Sequence, residues 1–402
     1  MLPLPAGSPA SSDFASRYNL KMLGKLGYVP GWEGLRGIAV SYVMISHVVL
    51  HKEMLGTLGV GIFFVLSGFL ITGGLMSKIE KNEQAQRDQS SSVHHQKLSR
   101  KRFAFLPEFY SDRFVRLTPA LAIMVVSITY IGLQDSGRPK GRLFEHAFSA
   151  FFYLHNMWPV KVDEPRVIEP GLFLQTWSLA VEEQFYIFWS LVIPFIIPLS
   201  LKGRAKVMGS LIFASFYVRY FSGYNFLTDR MYGIDYRYAY TSNAFKMFIG
   251  CAARLLPMPE FFTRKWVGVV STLYILISGY MWGWGAPVWY DFRTSGAWLE
   301  LFTSFMVLLV VTGSVNGNPI LESKFFRFPG RISYSWYLWQ FPINSLWYEP
   351  ASDFAPTGLA FMVATFTTFM IEEPIRNKYH AWKSRKAALA GGEEKQHARR
   401  ED

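Results

Sequence analysis

The sequence predicts an all-α protein, a polytopic membrane helical bundle of about ten transmembrane helices with both termini cytoplasmic. Three observations predict it. Charged residues are 17% of the chain and hydrophobic residues 50%, whereas a soluble domain carries about 25% charged residues. Several apolar runs approach the ~20 residues that cross a bilayer. Lysine and arginine are also distributed unevenly between alternate connecting segments, as the positive-inside rule requires.

Taken in order, the runs that read as spans are 35–52, 58–77, 116–134, 177–199, 207–222, 241–253, 266–283, 298–316, 332–349 and 357–373. Residues 142–157, "RLFEHAFSAFFYLHNM", are apolar but short and amphipathic. Charge excludes them as an eleventh span. With ten spans and the N-terminus inside, the inner segments hold 28 lysines and arginines and the outer segments 9. An eleventh span would turn "LKGRAK" and everything after it outward. Residues 142–157 are therefore expected at the outer interface or as a re-entrant piece.

The domain plan follows. Residues 1–32 are a polar N-terminal segment without the apolar core of a signal peptide. Residues 33–376 form the membrane domain, with a hydrophilic cytoplasmic loop at 78–112. Residues 377–402 are a charged cytoplasmic tail. The net charge of +12 is spread over several loops, which fits membrane topology and not nucleic-acid binding. One cysteine, Cys251, rules out an internal disulfide and a cysteine-based metal site. His94 and His95 lie in the solvated loop and make weak metal evidence, so no metal is expected.

The four lysines and arginines not counted in the connecting segments fall within the expected spans: Arg36, Arg116, Arg219 and Lys246. Ionisable groups at membrane depth are costly and face a bundle interior or a cavity. In "EGLRGIAVSYVMISH" Arg36 and His47 are eleven residues apart. Three helical turns bring them onto one face, ~16 Å apart along the axis. In "TWSLAVEEQFYIFW", Ser178, Glu182, Phe185 and Trp189 share a face. Entering from the outer side, Glu182 reaches a depth that His47 can share. Glu182 is preferred to Glu183 as the groove carboxylate because Ser178 shares its face.

Arg113 and Arg116 stand three residues apart at the inner start of the third span, after Arg100, Lys101 and Arg102. Two readings are open: snorkelling arginines, or a collar that binds phosphate bidentately. His47 likewise reads either as a core histidine bonded to a neighbouring helix or as a reactive base.

These motifs resemble the acyltransferase 3 family of integral-membrane O-acyltransferases. The matching stretches are "GLRGIAVSYVMISH", "GIFFVLSGFLIT", "RFVRLTPA", "TWSLAVEEQFYIFW", "ISYSWYLWQFPI" and "EEPIR". They occur in the family's order from about 33 to 376. The resemblance implies a ten-span core and acyl transfer, acetyl above all, from cytosolic acyl-CoA to an acceptor hydroxyl. It implies donor binding by Arg36, Arg113 and Arg116, and chemistry at His47 supported by Glu182 and Ser178. His47 would act either as general base or as transient acyl carrier. Two positions depart from the pattern. Gln340 stands where the family often has histidine, and "YTSNAFKMFIG" lacks the usual arginine and aspartate before its glycine.

The implied partners are the lipid bilayer, acyl-CoA and a hydroxyl-bearing sugar, lipid or small natural product. The chain stops soon after the last span without a hydrolase-like domain, which favours small or lipid-linked acceptors. The rival from another class is a transporter or channel in which His47 and Glu182 form an intramembrane relay. The absence of internal repeats of the transporter kind speaks against it.

Overall fold

A computed structural model describes residues 20–21, 23, 26–47, 53–89, 102–135, 140–157, 172–222, 240–284, 295–346 and 354–401. The described residues are almost entirely helical. In chain order the helices are α1 (Pro30–Ile45), α2 (Glu53–Gln89), α3 (Leu106–Gln134), α4 (Lys140–Phe151), α5 (Thr176–Ile196) and α6 (Leu201–Ser222). They continue with α7 (Tyr240–Leu255), α8 (Lys265–Trp284), α9 (Ser295–Gly313), α10 (Lys324–Leu346), α11 (Phe354–Thr367) and α12 (Glu373–Glu401). The sheet content is one antiparallel pair, β1 (Leu20–Lys21) with β2 (Met258–Pro259), which ties the N-terminal segment to the turn after α7.

Among the described residues six helices are long and apolar enough to cross a membrane: Met54–Gln84, Leu106–Gln134, Thr176–Ile196, Lys265–Gly283, Gly296–Asn316 and Ala355–Lys386. The protein is an all-α, integral multi-pass membrane protein. Its outside is apolar, as a lipid-facing surface must be. Phe114, Val126, Tyr130, Phe213, Ile277, Tyr280, Met362 and Phe366 all project outward, exposed. The other expected spans also carry helices, but α1, α6, α7 and α10 bring polar or charged groups inside the bundle. The interfacial candidate becomes α4, 12 residues long, or ~18 Å. That is too short to cross ~30 Å of hydrocarbon.

Two segments expected outside the spans carry helix. The second span belongs to a 37-residue helix that runs on to Gln89, so the first part of the 78–112 loop is helical. His94 and His95 lie outside the described residues. Residues 377–401 continue the helix α12, and its first turns are bolted to α3. Lys383 Nζ lies 2.7 Å from Glu108 and 2.9 Å from Asp112, and the Tyr379 hydroxyl donates to Asp112 at 3.1 Å.

Glycines set the closest helix contacts. A Cβ on Gly34 or Gly37 would run into the carbonyls of Leu321 and Phe326, and one on Gly330 into that of Glu33. The α1 and α10 backbones therefore lie directly on each other, the small-residue packing that replaces hydrophobic drive inside lipid. Gly68 of α2 and Gly250 of α7 approach the Met247 and Val65 carbonyls in the same way. With Gly34 and Gly37 committed to α10, Arg36 is turned toward the α2–α3–α5 side, where the bundle is open.

Candidate active site

That opening is a cavity of about 440 Å³. Arg36 enters it from α1, Ser67 from α2, Arg113 and Arg116 from α3, and Ser178, Glu182 and Glu183 from α5. Tyr334 and Tyr337 of α10 and Arg376 of α12 close the wall. Five of the six site residues expected from sequence thus share one cavity: Arg36, Arg113, Arg116, Ser178 and Glu182.

The arginines are not equivalent. The Arg113 guanidinium lies 3.5 Å from the Tyr186 ring centre, and its Nε is 3.5 Å from Glu183 Oε1. Arg113 is therefore already neutralised and stacked. Arg36 and Arg116 line the cavity without a hydrogen bond or ion pair to any protein group among the described residues. A guanidinium held at membrane depth without a protein anion is costly. Two guanidinium forks beside one open space have the chemistry to hold an anion with several oxygens.

Glu182 accepts hydrogen bonds from the Ser67 and Tyr186 hydroxyls. Ser178, buried, shares a 2.6 Å hydrogen bond with the Tyr337 hydroxyl, which also donates to the Gln175 carbonyl at 2.9 Å. Glu183 also lines the cavity, so the preference for one carboxylate over its neighbour does not hold. Phe185 and Trp189, expected on the groove face, stack on each other and against Phe248 instead.

His47 lies elsewhere. It is exposed at the far end of α1, outside the cavity lining. Its Nδ1 is 3.3 Å from Oε1 and 3.1 Å from Nε2 of the buried Gln340 amide, and its ring stands edge-on to Phe341 at 5.8 Å. The expected depth match with Glu182 is corrected here. Helix α2 runs antiparallel to α1, with Gly56 against Ser46 and His47, and Gly59 against Ala39 and Val43. Ser67 is eleven residues beyond Gly56, ~16 Å along the axis. It brings Glu182 back to the level of Arg36. The neighbour of the imidazole is Gln340.

The two ends are nevertheless connected. Gln340 is one turn of α10 from Tyr337, Tyr337 bonds Ser178, and Ser178 is one turn of α5 from Glu182. A line of hydroxyl and amide groups thus climbs from the arginine end toward His47. Ser67, Tyr337 and Gln340 stood inside quoted motifs, but nothing in their spacing marked them as site residues. Among the described residues no group of three or more His, Cys, Asp or Glu is able to hold a metal ion.

A second charged cluster lies on the other side of α2. Glu300 of α9 pairs with Arg219 Nη2 at 2.7 Å and with Lys246 Nζ at 2.9 Å, and all three are buried. Lys246 also donates to Asn243 at 3.2 Å. Arg219 and Lys246 were visible in the sequence as intramembrane charges, but Glu300 was not singled out as their partner.

Comparison with known proteins agrees with this layout. The family described as "Acyltransferase domain", acyltransferase 3, matches residues 29–371. The chain is 27% identical over 381 residues to the peptidoglycan O-acetyltransferase OatA of Listeria monocytogenes, covering 87% of this chain and 56% of that protein. It is 28% identical over 378 residues to the O-acetyltransferase OatA of Staphylococcus aureus, covering 87% and 58%. The chain thus spans little more than half the length of these relatives. No solved structure matches it. With the family matched across residues 29–371, nearly the whole helical bundle, the chain belongs to the acyltransferase 3 family of membrane acyltransferases.

Proposed function

We propose that the protein is an O-acyltransferase that moves an acetyl group from cytosolic acyl-CoA to a hydroxyl of a glycan acceptor. The observation that carries this reading is the pair Arg36 and Arg116, two guanidinium groups that line one cavity without a hydrogen bond or ion pair to a protein group among the described residues. The names of the two relatives support acetyl as the group, and the peptidoglycan in the name of the Listeria relative supports a glycan as the acceptor. In this reading all ten expected spans cross the membrane and both termini are cytoplasmic. The acyltransferase domain is 33–376, with its 78–112 connection on the cytoplasmic side, and the arginine end of the cavity opens to the cytosol.

Arg36, Arg113 and Arg116 hold the donor's phosphates. The pantetheine arm climbs past Ser67, Ser178 and Tyr337, and the thioester arrives beside His47. When the Gln340 amide oxygen accepts from Nδ1–H, the imidazole presents its lone pair at Nε2. Nε2 takes the proton from the acceptor hydroxyl as its oxygen attacks the thioester carbonyl. The C–S bond breaks, the acyl–oxygen bond forms, and the proton passes to the departing CoA thiolate. In the covalent variant of this route the imidazole carries the acyl group between donor and acceptor. Glu182 and Ser178 keep the α5 wall of the channel in register through Ser67, Tyr186 and Tyr337.

The test is H47A in membranes supplied with radiolabelled acetyl-CoA and a glycan acceptor. Loss of general acid–base catalysis lowers turnover about 10²–10⁴-fold. Wild-type turnover by the folded variant refutes the role of His47.

A further inference from the structure

Helix α12 begins after the last residue matched by the family, at 371, yet it forms part of the cavity wall through Arg376, Tyr379 and His380. The way it is held explains why. At the cavity mouth two lysines and two carboxylates form a closed square. Lys78 of α2 lies 2.9 Å from Glu108 and 2.7 Å from Asp112, and Lys383 of α12 reaches the same two acids at 2.7 and 2.9 Å. Tyr379 adds its hydroxyl to Asp112 at 3.1 Å. The square joins α2, α3 and α12 and fixes the rotation of α12 about its own axis.

One turn further in on each helix stand Arg116, four residues after Asp112, and Arg376, three residues before Tyr379. Both side chains line the cavity. The acid nearest Arg376 is already engaged, since Glu373 makes two 2.7 Å hydrogen bonds to Arg331 and only a 3.7 Å contact with Arg376. Glu372 is likewise taken, by Ser335 and Thr368. Arg376 thus keeps only a long ion pair with a carboxylate shared with Arg331, and Arg116 has none among the described residues, so an anion between the two guanidinium groups would be held by both.

We propose that Arg376 is a donor-binding residue, closing on the phosphates of acyl-CoA from α12 while Arg116 closes on them from α3. This rests on the reading of the cavity as the acyl-CoA site. Residues 373–383 are then part of the donor site and not a tail, and the Lys78–Glu108–Asp112–Lys383 square is the hinge pin that aims Arg376.

The test compares two probes on the full chain in lipid nanodiscs: acetyl-CoA, and S-acetylpantetheine, which carries the same thioester arm without phosphates. Wild type, R376Q, R376K and R116Q are titrated with each. R376Q is expected to weaken acetyl-CoA binding about tenfold or more and to leave S-acetylpantetheine unchanged. R376K, which keeps the charge but not the planar fork, is expected to fall between. If R376Q and R376K bind acetyl-CoA as wild type does, or lose both probes alike, the proposal is overturned. In that case loss of acetyl-CoA by R116Q alone leaves the donor reading standing. If acetyl-CoA does not bind the wild type, both fall.

Discussion

Replacing Arg116 by glutamine separates a ligand-binding arginine from a structural one. Arg116 has no hydrogen bond or ion pair to a protein group among the described residues, so the substitution breaks no internal contact. The ligand-free stability should stay within about 0.5 kcal/mol of wild type. The donor complex should lose a charge-assisted hydrogen bond, about 1.5–3 kcal/mol, which is roughly 10–150-fold in affinity. The two effects appear together in a thermal-unfolding titration. Acetyl-CoA at 100 times the wild-type Kd stabilises wild type by about 2.7 kcal/mol. If the variant binds about 30-fold more weakly, the same concentration stabilises it by only about 0.9 kcal/mol. The assay is unfolding of detergent-purified protein with and without acetyl-CoA, alongside initial rates against acetyl-CoA concentration. An unchanged KM, or a ligand-free variant destabilised by more than about 1 kcal/mol, would show that Arg116 serves the fold and would refute the reasoning.

Two further outcomes follow from contacts already described. E300Q removes the carboxylate paired with buried Arg219 and Lys246. Breaking a buried ion pair from one side costs about 3–5 kcal/mol, so the variant should lower the melting temperature sharply in detergent whether or not acetyl-CoA is present. G37A places a methyl group against the Phe326 carbonyl of α10. Overpacking of this kind costs about 1–3 kcal/mol. Because Arg36 is the adjacent residue, its tilt should also raise the KM for acetyl-CoA, and a variant with wild-type melting and wild-type KM would contradict the α1–α10 contact.

Much of this was legible in the chain. Low charge and long apolar runs announce helices in lipid, because a backbone without water must satisfy its own hydrogen bonds. The eleven-residue interval from Arg36 to His47 puts both on one helix face whatever the fold. The intramembrane charges Arg36, Arg116, Arg219 and Lys246 were conspicuous because the surrounding residues are apolar. Other features were hidden. Glu182 was matched in depth to His47 by counting residues from helix ends, but the antiparallel crossing of α1 and α2 at Gly59 brings it beside Ser67, level with Arg36. Gln340 was noticed as a departure from a pattern. Only packing revealed that its amide meets the His47 ring.

The division has a physical cause. Helix formation and the cost of a charge in lipid are local or one-dimensional properties, so the sequence by itself determined an all-α membrane bundle and the few charges it buries. Which of those charges face one another depends on helix tilt, rotation and closest approach. These are decided by contacts such as Gly34 and Gly37 on the α10 backbone, between residues nearly 300 positions apart. The tertiary structure alone therefore decided that Arg36, Arg113, Arg116 and Arg376 share a cavity with Glu182, that Glu300 answers Arg219 and Lys246, and that His47 stands with Gln340.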